Sequence, residues 1–356
     1  MNRKKVMLSI TAVISIALLA AGAFKVYGHF SWERDFLQSM STSMGKLQEE
    51  NEQKDQRLEE LEEEISRLQQ ALDPPVRIVC WGDSLTAGAG GDGVTYPNVI
   101  QKLALDQGIQ VDVANMGVGG ESSKMILARG GALDIVLEEC LIPAETEPVE
   151  VHLYLQDGSG ISPLRQGDGG IRNCSINGIP GILTIEQESY ISTEFKYYFT
   201  RLEPGEACLV ESGTYLINEG SYLYNDCIPV IFIGQNGSWE SPQDLIDQQQ
   251  KLLDTLDNPN KYIIVGLTSG TEEERRELEE MMETHWGKHY VNLRNYLCRH
   301  GLDEAGITPT QIDLEQMEKG MVPDSLRVDA VHFNKDGYTL IGTYIFKRLS
   351  ELHYIP

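Results

Sequence analysis

Basic residues are scarce in this chain. Lys and Arg number 29 against 54 Asp and Glu, a formal charge of −25. A general nucleic-acid binder needs basic patches to displace counterions, so that class is set aside. Cysteine chemistry is thin as well. Cys80, Cys140, Cys174, Cys208, Cys227 and Cys298 form no Cys-x-x-Cys pair, and no His/Cys cluster has zinc spacing. The expectation is no metal and mostly buried free thiols, with one disulfide in the middle segment as the alternative. No internal repeat is evident.

What is present divides the chain into parts. At 356 residues it is too long for one small domain, and length alone implies two or three units. Its composition is ordinary for a globular protein. Residues 6–24 are apolar and uncharged. At 1.5 Å per residue they span about 28 Å of helix, close to a bilayer's hydrocarbon core. Arg3, Lys4 and Lys5 precede them, so positive-inside logic leaves residues 1–24 as a cytoplasmic tip and anchor and sends the rest outside. The rival reading is a secretory signal cleaved near Ala23, because Ala21-Gly22-Ala23 has the form of a cleavage site.

Residues 25–75 read as a linker and stalk. Leu37, Met44, Asn51, Leu58, Ile65 and Leu72 fall on heptad position a, and Met40, Leu47, Lys54, Leu61 and Leu68 on d. Nine of these eleven are apolar. That is a left-handed coiled-coil pattern, and a polar Asn at a favours two parallel strands, so a parallel homodimer through residues 37–72 is expected. A lone solvated helix is the plainer alternative. Gly45 weakens the first part, and Asp73-Pro74-Pro75 stops the helix.

Beyond the prolines the pattern alternates. Short buried strands are expected at Arg77–Trp81, Val111–Ala114, Pro229–Ile233, Tyr262–Leu267 and Tyr290–Leu293, with helical segments between them. Ser241-Pro242 opens one helix as N-cap and N1 proline. Thr271 and Glu274 form a capping box before another. Strands alternating with helices imply an α/β fold with a parallel, doubly wound sheet. Residues 141–227 break the alternation. Val149–Leu155, Gly181–Ile185, Glu194–Thr200 and Ala207–Val210 read as strands, and Gln166–Gly170 and Asn177–Gly181 as tight turns, which gives a small inserted all-β domain. The α/β domain then comprises residues 76–140 and 228–356.

Chemistry gathers at the strand ends. Gly82-Asp83-Ser84-Leu85 puts a serine straight after a buried strand, at the carboxyl edge where open α/β sheets bind ligands. The same tetrapeptide also reads as an ordinary Ser/Asp turn. A serine hydroxyl needs a base, and the base an orienting group. Of the seven histidines, His332 alone has an aspartate one turn earlier, in Asp329-Ala330-Val331-His332. Donors for an oxyanion are offered by Asn115-Met116-Gly117-Val118-Gly119-Gly120 and by Gly234-Gln235-Asn236, each after a predicted strand.

These four segments, in this order, resemble the four blocks of the SGNH/GDSL hydrolases. The resemblance covers residues 77–140 and 228–356. It implies a flavodoxin-like three-layer α/β/α sandwich, a triad of Ser84, His332 and Asp329, and an oxyanion hole from the Ser84 N–H, the Gly120 N–H and the Asn236 amide, with Gly119 the neighbouring choice. No cofactor is implied. The third block commonly ends in an acid, where this chain has Gly237. The activity implied is hydrolysis of short-chain, chiefly acetyl, esters of small molecules or of cell-surface or environmental glycans. A non-catalytic surface glycan-binding or scaffold protein is one alternative, and a lipase or thioesterase of the same family is another.

Overall fold

The structure, a computed structural model, describes residues 30–72, 75–162, 170–189, 192, 194–257 and 260–356, with side chains in the first helix from 38 to 61. The chain divides into two compact units, the second beginning at Pro75. The first contains one uninterrupted helix, α1 (Phe30–Leu72), in which Gly45 makes no break. Its seam residues Leu47 and Leu58 are 60% and 55% exposed, so no described residue of this chain covers them. Residues 6–24, where the sequence sets a membrane span, lie outside the described residues. Among the described residues no helix is long and apolar enough to cross a membrane.

The second unit is a mixed α/β structure. In chain order its strands are β1 (Val76–Gly82), β2 (Val111–Gly117), β3 (Ile135–Leu137), β4 (Cys140–Ile142), β5 (Val149–Val151), β6 (Leu153–Leu155) and β7 (Asn173–Ile176), then β8 (Ile179–Gln187), β9 (Phe195–Arg201), β10 (Cys208–Val210), β11 (Tyr215–Asn218), β12 (Ile228–Phe232), β13 (Ile263–Val265) and β14 (Tyr290–Val291). Five of them form a parallel sheet in the order β14-β13-β12-β1-β2. Apolar side chains point both ways from it. Ile78, Cys80, Val230 and Phe232 join one buried cluster, with residues of the helices Tyr96–Asp106, Leu293–Glu304 and Lys335–Glu351. Val79, Trp81 and Ile231 join another, with residues of the helices Ser123–Arg129, Pro242–Leu253 and Glu272–Trp286. A strand buried on both faces is why these segments read as continuous apolar runs.

The connections reverse direction between β1 and β12, the crevice where open α/β sheets take ligands. The helix starts read from the sequence are present. Ser241 caps Asp244 N–H with a proline at N1, and Thr271 and Glu274 close a reciprocal capping box.

The β-rich stretch forms a seven-stranded sheet in the order β5-β9-β8-β7-β11-β3-β6, with β4 and β10 paired beside it. All described pairings here are antiparallel. It has its own buried cluster, including Ile135, Leu155, Ile176, Phe199 and Leu216. One boundary differs from the expectation. β3 and β4 fall within residues 76–140, assigned to the parallel unit, at least in part, yet β3 pairs with β11 and β6. Three residues are too few to show a period, and only the distant partner fixes them as strand. Asn177 and Gly178 have φ of 51° and 74°, a left-handed pair that closes the β7–β8 hairpin. Residues 166–169 of the other expected turn lie outside the described residues. All six cysteines are free.

Candidate active site

Ser84 opens a single helical turn, Ser84–Ala87, directly off β1. Asp83 caps that turn, its Oδ1 accepting from Leu85 N–H at 2.9 Å. Gly82 lies at a close approach, since a Cβ there would run into Thr86 Oγ1 and lie 2.8 Å from Phe232 O. The glycine is therefore needed for packing, whereas its backbone angle is not left-handed.

His332 arrives on the loop before the last helix. Val328 N–H donates to His332 O at 3.0 Å, which folds residues 328–332 into a tight bend. Inside it Asp329 Oδ1 accepts from the N–H groups of Val331, 2.8 Å, and His332, 2.7 Å. Asp329 Oδ2 lies 2.8 Å from His332 Nδ1, and His332 Nε2 lies 3.0 Å from Ser84 Oγ. With Nδ1–H donating to the carboxylate, Nε2 is the acceptor for the serine proton. Gly90, with φ of 85°, lets the two loops meet: its Cα lies under Val328, and a Cβ would be 2.9 Å from Phe333 O. Tyr338 Oη donates to Ala89 O at 2.8 Å and ties the last helix to the serine loop.

Asp329 is half exposed, and its hydrogen bonds from His332, backbone first and ring second, hold its carboxyl down at about 2. Asp83 is buried, and burial pushes its carboxyl up to about 6.

The other loops at the same sheet edge come from β2 and β12. Gly120 has φ of 72° and is exposed. The N–H groups of Ser84, Gly119 and Gly120 have no protein acceptor among the described residues. The Asn236 side chain differs from the sequence expectation of a waiting donor. Its Nδ2 donates to Glu121 O at 2.9 Å and to Asp83 Oδ2 at 3.2 Å, so both amide hydrogens have partners. The position of the missing acid, Gly237, is held differently: Ser123 donates to Gly237 O from its N–H at 3.1 Å and its Oγ at 2.9 Å.

Sequence reasoning missed what lies beneath these loops. Arg129, 2% exposed, meets Glu121 with Nη2 2.7 Å from Oε2 and Nε 3.0 Å from the same oxygen. The same Nη2 donates to Met116 O at 2.7 Å, and the guanidinium lies over Trp81, 5.2 Å from the ring centroid. Burial pushes the Glu121 carboxyl up, and the Arg129 charge pulls it back. One pair thus braces the ends of β1 and β2 and the residue whose carbonyl holds Asn236. The available signal was a lone arginine ending the run Met125-Ile126-Leu127-Ala128. Asn218, at the end of β11, donates to Ala128 O at 3.2 Å, so the antiparallel sheet grips the same helix end.

A serine, an imidazole and a carboxylate in one hydrogen-bonded line, with open N–H groups on neighbouring loops, can carry out acyl transfer. Among the described residues no cluster of His, Cys, Asp and Glu has the arrangement of a metal site. No protein-family model matches the sequence, and no curated protein matches it. Among solved structures, one described as "Peptidoglycan O-acetylesterase in action, 5 min" aligns at 13% identity with a TM-score of 0.32, over 81% of this chain and 93% of that one. The functional reading therefore rests on the geometry above.

Proposed function

We propose that this chain is a serine esterase of the SGNH/GDSL kind, removing short acyl groups, acetyl above all, from a glycan outside the cell. The observation that carries the reading is the line Asp329–His332–Ser84, with its 2.8 and 3.0 Å links. Asp329 and Asn236, both exposed and polar, lie beside it, which favours a short acyl group over a fatty chain.

In the proposed reaction His332 Nε2 takes the Ser84 proton as Oγ adds to the ester carbonyl carbon. The N–H groups of Ser84 and Gly120 meet the oxyanion. Asn236 joins them by giving up the longer of its two bonds, the one to Asp83. Collapse breaks the carbon–oxygen bond to the sugar, whose alkoxide takes the proton from His332. Water, deprotonated by the same imidazole, then releases the acyl group and restores Ser84. Asp329 holds the tautomer and the charge of the imidazolium. In the same reading residues 6–24 anchor the chain, and a second copy covers Leu47, Leu58 and Leu61 of α1.

A fluorophosphonate probe tests the chemistry. It is expected to label the full-length protein and to leave Ser84→Ala unlabelled, with acetate release from an acetylated glycan lost in the same variant. Equal labelling of the two proteins removes the proposal.

A further inference from the structure

A cleft of about 510 Å³ opens beside the site, and the chemistry described so far does not use it. Three stretches of chain line it. Ser122 and Met125 come from the loop and helix after β2, Ser238 and Trp239 from the loop after β12, and Gly160 from the turn after β6. Ser122 is two residues from Gly120, and Ser238 is two from Asn236. Two residues of chain reach at most about 7 Å, so the cleft begins next to both oxyanion loops.

Its walls are braced. Trp239 is half-buried, with Nε1 donating to Gly234 O at 2.8 Å. Ser123 Oγ donates to Ser238 O at 3.3 Å, and Gln248 Nε2 to the same oxygen at 2.8 Å. An indole and a thioether beside hydroxyls and carboxylates make a mixed surface, with apolar faces for C–H groups and polar groups for hydroxyls. A pyranose presents that combination. The charge nearby is negative. Among the described residues Glu240 and Asp244 line the cleft with a single cation, Lys124, which already lies 3.7 Å from Asp157. A polyanionic sugar would meet like charge here, consistent with the −25 of the whole chain.

We infer that this cleft binds the sugar part of an uncharged acylated glycan, placing its ester at Ser84. The inference rests on the esterase reading and deepens it. It also gives the antiparallel sheet a task, since Gly160 and Leu155 complete a wall that the parallel unit leaves open. Binding energy gathered there orients an ester that makes few contacts of its own.

The test is titration calorimetry on full-length Ser84→Ala, with tri-N-acetylchitotriose as the uncharged probe and trigalacturonate as the acidic one. A Cβ added at Gly160 meets nothing within 4 Å, so larger side chains enter without backbone conflict. Gly160→Trp in that background is expected to weaken chitotriose binding at least tenfold. A second measurement uses fluorescence: chitotriose should change tryptophan emission in Ser84→Ala, and Trp239→Phe should remove most of that change. Trigalacturonate should bind at least tenfold more weakly than chitotriose. The inference fails if chitotriose does not bind, if Gly160→Trp binds it unchanged, if Trp239→Phe keeps the full fluorescence response, or if trigalacturonate binds as well. Fluorophosphonate labelling of the unsubstituted protein reports on the esterase reading separately. Labelling without sugar binding removes only the cleft, and sugar binding without labelling removes the esterase.

Discussion

Two aspartates serve the two sides of Ser84, and their surroundings set them apart. Asp329 stands half in water and accepts from two backbone N–H groups and one ring nitrogen. Hydrogen bonds to the charged form outweigh a small desolvation, so its carboxyl is held down at about 2 and is ionised at neutral pH. Asp83 lies under the surface beside Glu121, with bonds from Leu85 N–H and Asn236. There desolvation is the largest influence, and its carboxyl rises to about 6. The same residue type thus supplies a fixed charge on the imidazole side and a titrating group on the oxyanion side. Substitutions on each side should break different things.

The largest effect is expected at the exposed acid. Asp329→Asn keeps the bend, because an amide oxygen still accepts from the two backbone N–H groups. It loses the charge that orients His332 and stabilises the imidazolium. Turnover of an acetyl ester should fall on the order of 10³–10⁴-fold, while the stability lost with the charge stays small because solvent screens the half-exposed carboxylate. A fall of less than tenfold would mean that Asp329 is not the orienting group.

Next comes the buried side. Arg129→Met leaves the Glu121 carboxylate without its counter-charge and Met116 O without its donor. Removing one partner of a buried pair costs about 3–5 kcal/mol, readable as a lower urea midpoint. Glu121→Leu combined with Arg129→Met should recover part of that loss, since no lone charge is then left buried. A single-variant loss below about 1 kcal/mol would mean that water already reaches the pair. The contrast with Asp329→Asn is the point: one variant loses rate and keeps stability, the other loses stability.

The comparison also marks what the sequence made legible. Ser84, Asp329 and His332 lie in short contiguous motifs whose local spacing dictates their geometry, so a one-turn Asp-x-x-His could be read directly. Helix starts at Ser241 and Thr271 were legible for the same reason, as was the Asn177-Gly178 turn. Arg129 and Glu121 are eight residues apart and meet only because helix Ser123–Arg129 packs under β1 and β2, which no local pattern states. The engagement of Asn236 was hidden likewise, since its partners come from residues 83 and 121. β3, β7 and β11 hold three or four residues each, and their identity as strands comes from pairings such as Ile135 with Leu216.

The smallest expected effect is in the pH dependence of stability, and it isolates Asp83. A carboxyl whose folded value lies above its unfolded one holds its proton more tightly in the folded state. Its contribution is complete below the ordinary value of 3.8 and is lost as pH rises through about 6. The shift corresponds to on the order of 3 kcal/mol at most, at 1.36 kcal/mol per unit. Asp329 has the opposite sign, with its contribution present above the ordinary carboxylate range and lost as pH falls through about 2, so it changes little above about pH 5 and is common to both proteins compared below. Asp83→Asn keeps an acceptor for Leu85 N–H but has no proton to bind. Subtracting the stability of the variant from that of the unsubstituted protein cancels Glu121 and the other carboxylates common to both. That difference should fall by about 2–3 kcal/mol from pH 4 to pH 7, with most of the change between pH 4 and 6. Urea unfolding at half-unit steps of pH measures it. The offset between the two curves also contains the altered contact with Asn236, so the slope is the diagnostic quantity. A flat difference would mean that Asp83 is ionised throughout and that water or Asn236 compensates its burial in full.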